Sequence, residues 1–330
     1  MNALERSLRA RLRASGLTPR VLDAAWPAWW SDDAAQSASA VAELHFTLAR
    51  QLGMSATSLM SGDEPEFIWF DQTKYKNLGT TSDLEAAVLS SFSVSVSRDA
   101  LVATPPSPLA LDSDAAQLRA ALLRNSPFIG LRELVALCWG LGIPVIHLKV
   151  FPLQNKRMHA VSARLGDRYA ILIGHESRFP AQVAFWIAHE LGHIARGDVR
   201  DAAALMDVED PLRTNDKDAE EQGADAWALE LLTGDPSPRV ESDRATYNAS
   251  AVASAVEKES LTARVDPGIL ALCLGYNEAS WNAVFGALKI LGDSDVGATL
   301  NQIASDQFDW DELPLDSQGF LRTILGRSDG

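Results

Sequence analysis

Apolar residues recur every three or four positions along most of the chain, and alternating or continuous apolar runs are confined to a short central stretch. The pattern predicts a mostly helical protein carrying one small sheet. From residue 2 to about 101 the spacing is helical, with Trp26, Trp29 and Trp30 clustered, and the segment 48–59 resembles a helix-turn-helix core. Its second helix would start at Ser55 and carries no Arg or Lys to read a guanine, so it suits packing or partner docking better than base readout. Thr104-Pro105-Pro106-Ser107-Pro108 predicts a linker. Helices are expected at 112–123 and 131–141, the latter ended by Gly142. Residues 143–151 then read as a strand, with Pro144 where a missing N–H matters least. Two further strands, 157–164 and 168–173, are joined by the turn Leu165-Gly166-Asp167.

A helix follows. Pro180 suits its first turn, and Val183, Phe185, Trp186, Ile187, Leu191 and Ile194 give it a broad apolar surface. Arg196 falls in its last turn and Gly197 where a left-handed cap belongs. A second strong helix covers 218–232, and beyond Arg239 the spacing predicts helices at 251–265, 269–274 and 280–291. The division this implies is a helical N-terminal domain at 1–103, a central domain at 109–236 and a helical C-terminal domain at 239–330. The expected class is α+β, with a mixed sheet of three or four strands.

The helix over 180–197 carries the chemistry. His189-Glu190-Leu191-Gly192-His193 places two imidazoles four residues apart, on one face, where both reach a single metal ion. Glu190, one residue past the first, is placed to act as a general base rather than to ligate. A catalytic zinc takes a third protein ligand and keeps one position open. No histidine stands six residues past His193, where Val199 is found. Glu220 and Glu221 in the second helix both remain candidates by periodicity, and Asp198 and Asp201 are less well placed because the chain would have to turn back sharply. Asp225, four residues past Glu221, shares its face and could accept from a ligating imidazole. His159, Tyr169, His175 and Arg178 lie near the metal helix in sequence, and His175 is the preferred candidate for assisting the oxyanion.

These residues carry a resemblance. The stretch 189–193, followed by Glu221, Ala224, Asp225, Trp227, Ala228, Leu231 and Leu232 at their spacing, is similar to the ImmA/IrrE family of cytoplasmic, gluzincin-like metallopeptidases, and to its phage-defence-associated CapP type. The resemblance implies a zincin-like central domain, zinc as cofactor, and Glu221 rather than Glu220 as the third ligand. Gly223 departs from the family, where many relatives carry a second Glu, and Trp227 replaces a Phe. Cys138 reads by default as a buried small hydrophobe. The sharper expectation is an inhibitory fourth zinc ligand, its thiolate filling the open position until a signal displaces it, as some defence-associated relatives resemble.

Composition narrows the remaining choices. Two cysteines argue against a disulfide framework, the first twenty residues hold no signal-peptide-like apolar run, and no stretch is long enough to span a bilayer. The expected place is the cytoplasm, with no membrane partner. A net charge of −15, from 29 Lys and Arg against 44 Asp and Glu, works against general phosphate binding, although Arg6, Arg9, Arg11, Arg13 and Arg20 crowd the start. The function expected by resemblance is cleavage of a helix-turn-helix repressor in a stress or phage-defence response. Single-stranded DNA or another damage signal would be the activator. The rival reading is a DNA-binding regulator or antitoxin-like protein with a non-catalytic metal.

Overall fold

The apolar runs of the central segment join two further strands in a five-stranded mixed sheet, larger than the three or four strands that the sequence predicts. The computed structural model describes residues 1–76, 82–154, 159–200, 202–207, 218–241, 248–278 and 280–327. Helices α1 (Ala3–Ala14), α2 (Pro19–Ala25), α3 (Ala38–Leu52) and α4 (Ala56–Ser61) precede strand β1 (Thr73–Lys76). Next come α5 (Asp83–Val102), α6 (Ala115–Leu122) and α7 (Leu131–Gly140), then β2 (Val145–His147), β3 (Ala160–Leu165) and β4 (Arg168–Ile173). Helix α8 (Pro180–Arg196), strand β5 (Ala204–Asp207) and helix α9 (Ala219–Thr233) follow. The chain ends with α10 (Ala249–Ala263), α11 (Pro267–Glu278), α12 (Trp281–Leu291), α13 (Val296–Gln307) and α14 (Leu315–Ile324).

The strand order is β1-β5-β3-β4-β2. Strand β3 pairs antiparallel with β4 and β5, while the outer pairs β1–β5 and β2–β4 are parallel. Strand β2 is shorter than the expected 143–151 because the chain leaves the sheet after His147, and the Lys149 N–H bonds to the Ile324 carbonyl at 2.9 Å. Residues 157 and 158, expected to open the second strand, lie outside the described residues.

Both faces of this sheet are apolar, and that dictates the layers. Along β4, Ile171 and Ile173 enter one core while Leu172 enters the other, as the two-residue period of a strand requires. The first core is closed by α7 to α12 and contains α8. The second is closed by α2, α3, α5 and α14, so residues from both ends of the chain cover the sheet's back. The α3–α4 hairpin stands where the helix-turn-helix resemblance falls. Its second helix has only six residues, with Ser58 and Leu59 buried. Arg11 donates to the carbonyls of Ser58, Leu59 and Asp63, and Arg9 pairs with Glu5 and Asp23 while lying 4.1 Å over the Trp26 ring. Arg9 and Arg11 are thus engaged inside the molecule, and Arg6 donates to the Met1 carbonyl at 2.8 Å.

One sheet edge is closed by a side chain. Asn301 of α13 accepts from the His147 N–H at 2.8 Å and donates to the His147 carbonyl at 2.7 Å, imitating a further strand. The other edge is β1.

Candidate metal centre

Helix α8 lies in the middle of the first core, and residues 181–194 are all buried. Pro180 occupies its first turn and Gly197, at φ 83°, closes it in the left-handed conformation. Helix α9 packs across it. Asp218 starts α9 by accepting from the N–H groups of Glu220 and Glu221, each at 3.0 Å. The two backbones come close at Gly192, where a Cβ would sit 2.8 Å from the Ala224 carbonyl oxygen. Ala224 falls between Glu221 and Asp225, so this close approach carries both carboxylates to the histidines.

His189, His193 and Glu221 form a buried trio whose donor atoms lie within 4.8 Å of one another. The two Nε2 atoms are 3.1 Å apart, with Glu221 Oε2 3.4 Å from His189 Nε2 and Oε1 3.3 Å from His193 Nε2. Each imidazole is held from behind by a carboxylate: His189 Nδ1 lies 2.9 Å from Asp225 Oδ1, and His193 Nδ1 3.0 Å from Asp198 Oδ2. A carboxylate accepts, so Nδ1 carries the hydrogen and each Nε2 turns its lone pair toward the other. A proton on one Nε2 satisfies a single contact, whereas a cation satisfies all three groups. Burial pushes the Glu221 carboxyl up, yet its contacts with His189 and His193 outweigh this and hold it well below the usual carboxylate range. For Asp198, burial is likewise overcome by the hydrogen bond from His193 and the charge of Arg196, and the carboxyl ends up lowered.

The trio fits zinc. Ligands at 2.0–2.1 Å from a tetrahedral centre are separated by roughly 3.3–3.4 Å, near the 3.1–3.4 Å separations here, where Glu221 turns a different oxygen to each histidine. Two imidazoles and a carboxylate are a donor set for zinc rather than for calcium or magnesium. Among the described residues the group holds three donors, which leaves a position for solvent as catalytic sites do and closed structural sites do not.

Glu190 follows His189 on the same helix and is fully buried. Its Oε2 accepts a short hydrogen bond from the Ser162 hydroxyl on β3, and Ser162 also reaches the Glu190 carbonyl at 3.3 Å. Sheet and helix α8 are therefore joined at Glu190.

Residues 138–252 match the family model Peptidase_M78, the IrrE N-terminal-like domain. The match covers about a third of the chain, includes the whole trio with Glu190, Asp198 and Asp225, and supports a metallopeptidase of ImmA/IrrE type in that segment. No curated protein and no solved structure matches the chain.

Other expected residues stand elsewhere. Cys138 is fully buried on α7 and its sulfur is not part of the trio's cluster; burial alone drives its thiol far above the ordinary range. His175 is exposed on the loop before α8, its ring stacked 5.1 Å from that of His159 and edge-on to that of Trp186 at 5.8 Å, and it too lies outside the cluster. Asp201 falls outside the described residues. Asp198 does turn back sharply, through Gly197, with its N–H on the His193 carbonyl at 3.0 Å. It arrives at Nδ1, as a support and not as a metal donor.

Four features escaped the sequence reading. Ser162 has no local signal. Lys74 of β1 donates to the Asp198 carbonyl at 2.9 Å and lies 3.9 Å from Glu220, a contact between distant segments. Gly223, where the family often carries Glu, makes room for the Arg196 guanidinium, and the Arg196 Nε–H reaches Asp198 at 3.4 Å. Gly192 sets the helix crossing. Gly192→Val is expected to force α8 and α9 apart and weaken zinc binding at least about tenfold, with an overpacking cost of about 1–3 kcal/mol in stability. Competition titration against a chromophoric chelator checks this, and parental affinity in the variant would mean that the close crossing does not place Glu221.

Proposed function

We propose that the chain is a zinc-dependent endopeptidase that cuts a helix-turn-helix transcriptional repressor in a stress or phage-defence response in the cytoplasm. The chemistry is carried by one observation, the three-donor cluster with both imidazoles oriented by carboxylates and Glu190 beside it. The repressor, the response and an activating signal such as single-stranded DNA are supported by likeness to the ImmA/IrrE family alone.

His189, His193 and Glu221 would hold the ion, with Asp225 and Asp198 fixing the imidazole tautomers. Zinc, when bound, supplies Lewis acidity that lowers the pKa of water and polarises a carbonyl. Glu190, anchored by Ser162, takes the proton from the attacking water and returns it to the leaving amine nitrogen as the peptide bond breaks. Strand β1 is the sheet edge beside Asp198 and Glu220, so an extended substrate would add there as a further strand. The rival regulator reading gains no support from α4, which is a single short turn-and-a-half with Arg11 bound to its carbonyls.

The test incubates the purified full chain with the repressor encoded beside it and follows intact mass. Cleavage at one bond, abolished by chelator and restored by zinc, is expected. A zinc-loaded protein that leaves the repressor whole, with and without single-stranded DNA, would dispose of this substrate. Failure on unfolded protein substrates as well would dispose of the peptidase.

A further inference from the structure

Asp198 is bonded through its N–H, its carboxylate and its carbonyl. The N–H donates to the His193 carbonyl at 3.0 Å, and Oδ2 accepts from His193 Nδ1 at 3.0 Å and from Arg196 Nε at 3.4 Å. Those bonds are local, all to residues of α8. The carbonyl differs. It accepts from Lys74 Nζ at 2.9 Å, and among the described residues this is the hydrogen bond that fixes Asp198 to a distant part of the chain. Asp198 follows Gly197, at φ 83°, so it stands beyond the last turn of α8 and the helix no longer dictates its position.

Magnitudes decide what Lys74 does there. Nζ also lies 3.9 Å from Glu220 Oε1, but both side chains are 40% exposed, and water screens such a pair. An ammonium donating to a carbonyl at 2.9 Å is a charge-assisted hydrogen bond, stronger than a neutral one. The bond to Asp198 therefore dominates, and Asp198 in turn supports the ring of a metal donor.

Lys74 belongs to none of the segment 138–252 that matches the peptidase family. It stands on β1, which pairs with β5 in parallel, Thr73 opposite Ala204. The run into β1 is tied to the N-terminal helices. The Ile68 N–H donates to the carbonyl of Gly53, the cap of α3, at 3.1 Å, and the Trp69 N–H to the Ser91 hydroxyl of α5 at 3.3 Å. A continuous series of bonded contacts thus runs from α3 and α5 through β1, Lys74 and Asp198 to His193.

We propose that Lys74 is a positioning residue of the metal centre. By fixing the Asp198 carbonyl from β1 it keeps the Asp198 carboxylate on His193, so the N-terminal region governs how tightly zinc is held. The inference rests on the zinc reading above and is independent of the substrate. Losing the carboxylate behind a ligating imidazole costs about 10–100-fold in metal affinity, and Lys74 acts one bond further out, so the lower end of that range is expected.

The test measures zinc affinity of the full chain by competition with a chromophoric chelator, and Tm with excess chelator. Lys74→Met keeps the apolar stem and removes the donor. It should weaken zinc binding about tenfold while the chelated Tm, as for other partly exposed positions, stays within about 2 °C of the parent. Lys74→Arg restores a charged N–H donor and should recover most of the affinity. Glu220→Ala should bind zinc as the parent does. Thr73→Val removes the bond from the Thr73 hydroxyl to the Trp69 carbonyl, 2.9 Å, so it weakens β1 without touching Asp198, and it too should keep the parental affinity. Parental affinity in Lys74→Met, or a loss that Lys74→Arg does not restore, overturns the proposal. So does an equal loss in Glu220→Ala, which would trace the effect to the ion pair, or in Thr73→Val, which would trace it to the strand. A parent that binds no zinc removes the metal centre itself, a failure distinct from these.

Discussion

Glutamine in place of Glu190 is expected to slow peptide hydrolysis by about 10²–10⁴-fold, the usual contribution of a positioned acid–base group, with zinc content unchanged. The two outcomes separate because Glu190 is not one of the three clustered donors. Glutamine keeps the shape of the side chain and an oxygen to which the Ser162 hydroxyl can donate, as it now does to Oε2. What it loses is the capacity to take up a proton. The site is fully buried, so bulk solvent cannot substitute as a base at that position. Rates on a fixed peptide, together with metal content by elemental analysis, check the claim. A parental rate would remove Glu190 as the base, and a variant that sheds its zinc would place Glu190 among the ligands instead.

Elements with strong local chemistry were legible, and those made by distant pairing were not. Pro180, Gly197 and the apolar surface between them announce α8, and the chain bears its left-handed cap at Gly197. Asp218, with acidic residues behind it, announces α9. The α+β class follows from the same patterns, because helical spacing dominates and β3 and β4 sit around a short turn. Strands β1 and β5 left no comparable trace. Each has four residues, and each gains its place only by pairing with strands distant in sequence, β1 with β5 across more than a hundred residues (Thr73 with Ala204) and β5 also with β3 (Ala163 with Ala204). Without β1 the first hundred residues read as helices alone. The metal trio was partly legible for a related reason. His189 and His193 declare themselves by helical spacing, whereas periodicity could not choose between Glu220 and Glu221, and the choice came from likeness to a family. In the fold Glu221 faces the histidines, and Glu220, half-exposed, lies by Lys74. Asp198 was weighed as a ligand because its type and nearness suit one. Only the turn at Gly197 reveals that it meets Nδ1, on the side of the ring away from Glu221.

Glu221→Ala is expected to remove nearly all the stabilisation that zinc confers, and this can be read without any substrate. A ligand bound only by the folded state contributes RT ln(1 + [L]/Kd), about 4 kcal/mol at a thousandfold excess over Kd. A domain of 150–250 residues gains about 2–4 °C in Tm per kcal/mol and a longer chain less, so chelating the zinc should lower the parental Tm by roughly 5–10 °C. Glu221 supplies one of the three donors clustered among the described residues, with oxygens 3.3 and 3.4 Å from the two Nε2 atoms. Without it two imidazoles remain, too few to hold the ion against solvent, and the unfolded chain competes on better terms. The variant should therefore melt at the same temperature with and without chelator, while the parent does not. Glu220→Ala, which removes the neighbouring carboxylate that lies 3.9 Å from Lys74, should keep the full zinc-dependent increment. Differential scanning fluorimetry of the three proteins, each with added zinc and with chelator, gives the comparison. An increment that survives in Glu221→Ala and disappears in Glu220→Ala would exchange the roles of the two glutamates, and one that survives in both would mean that the ion is held elsewhere.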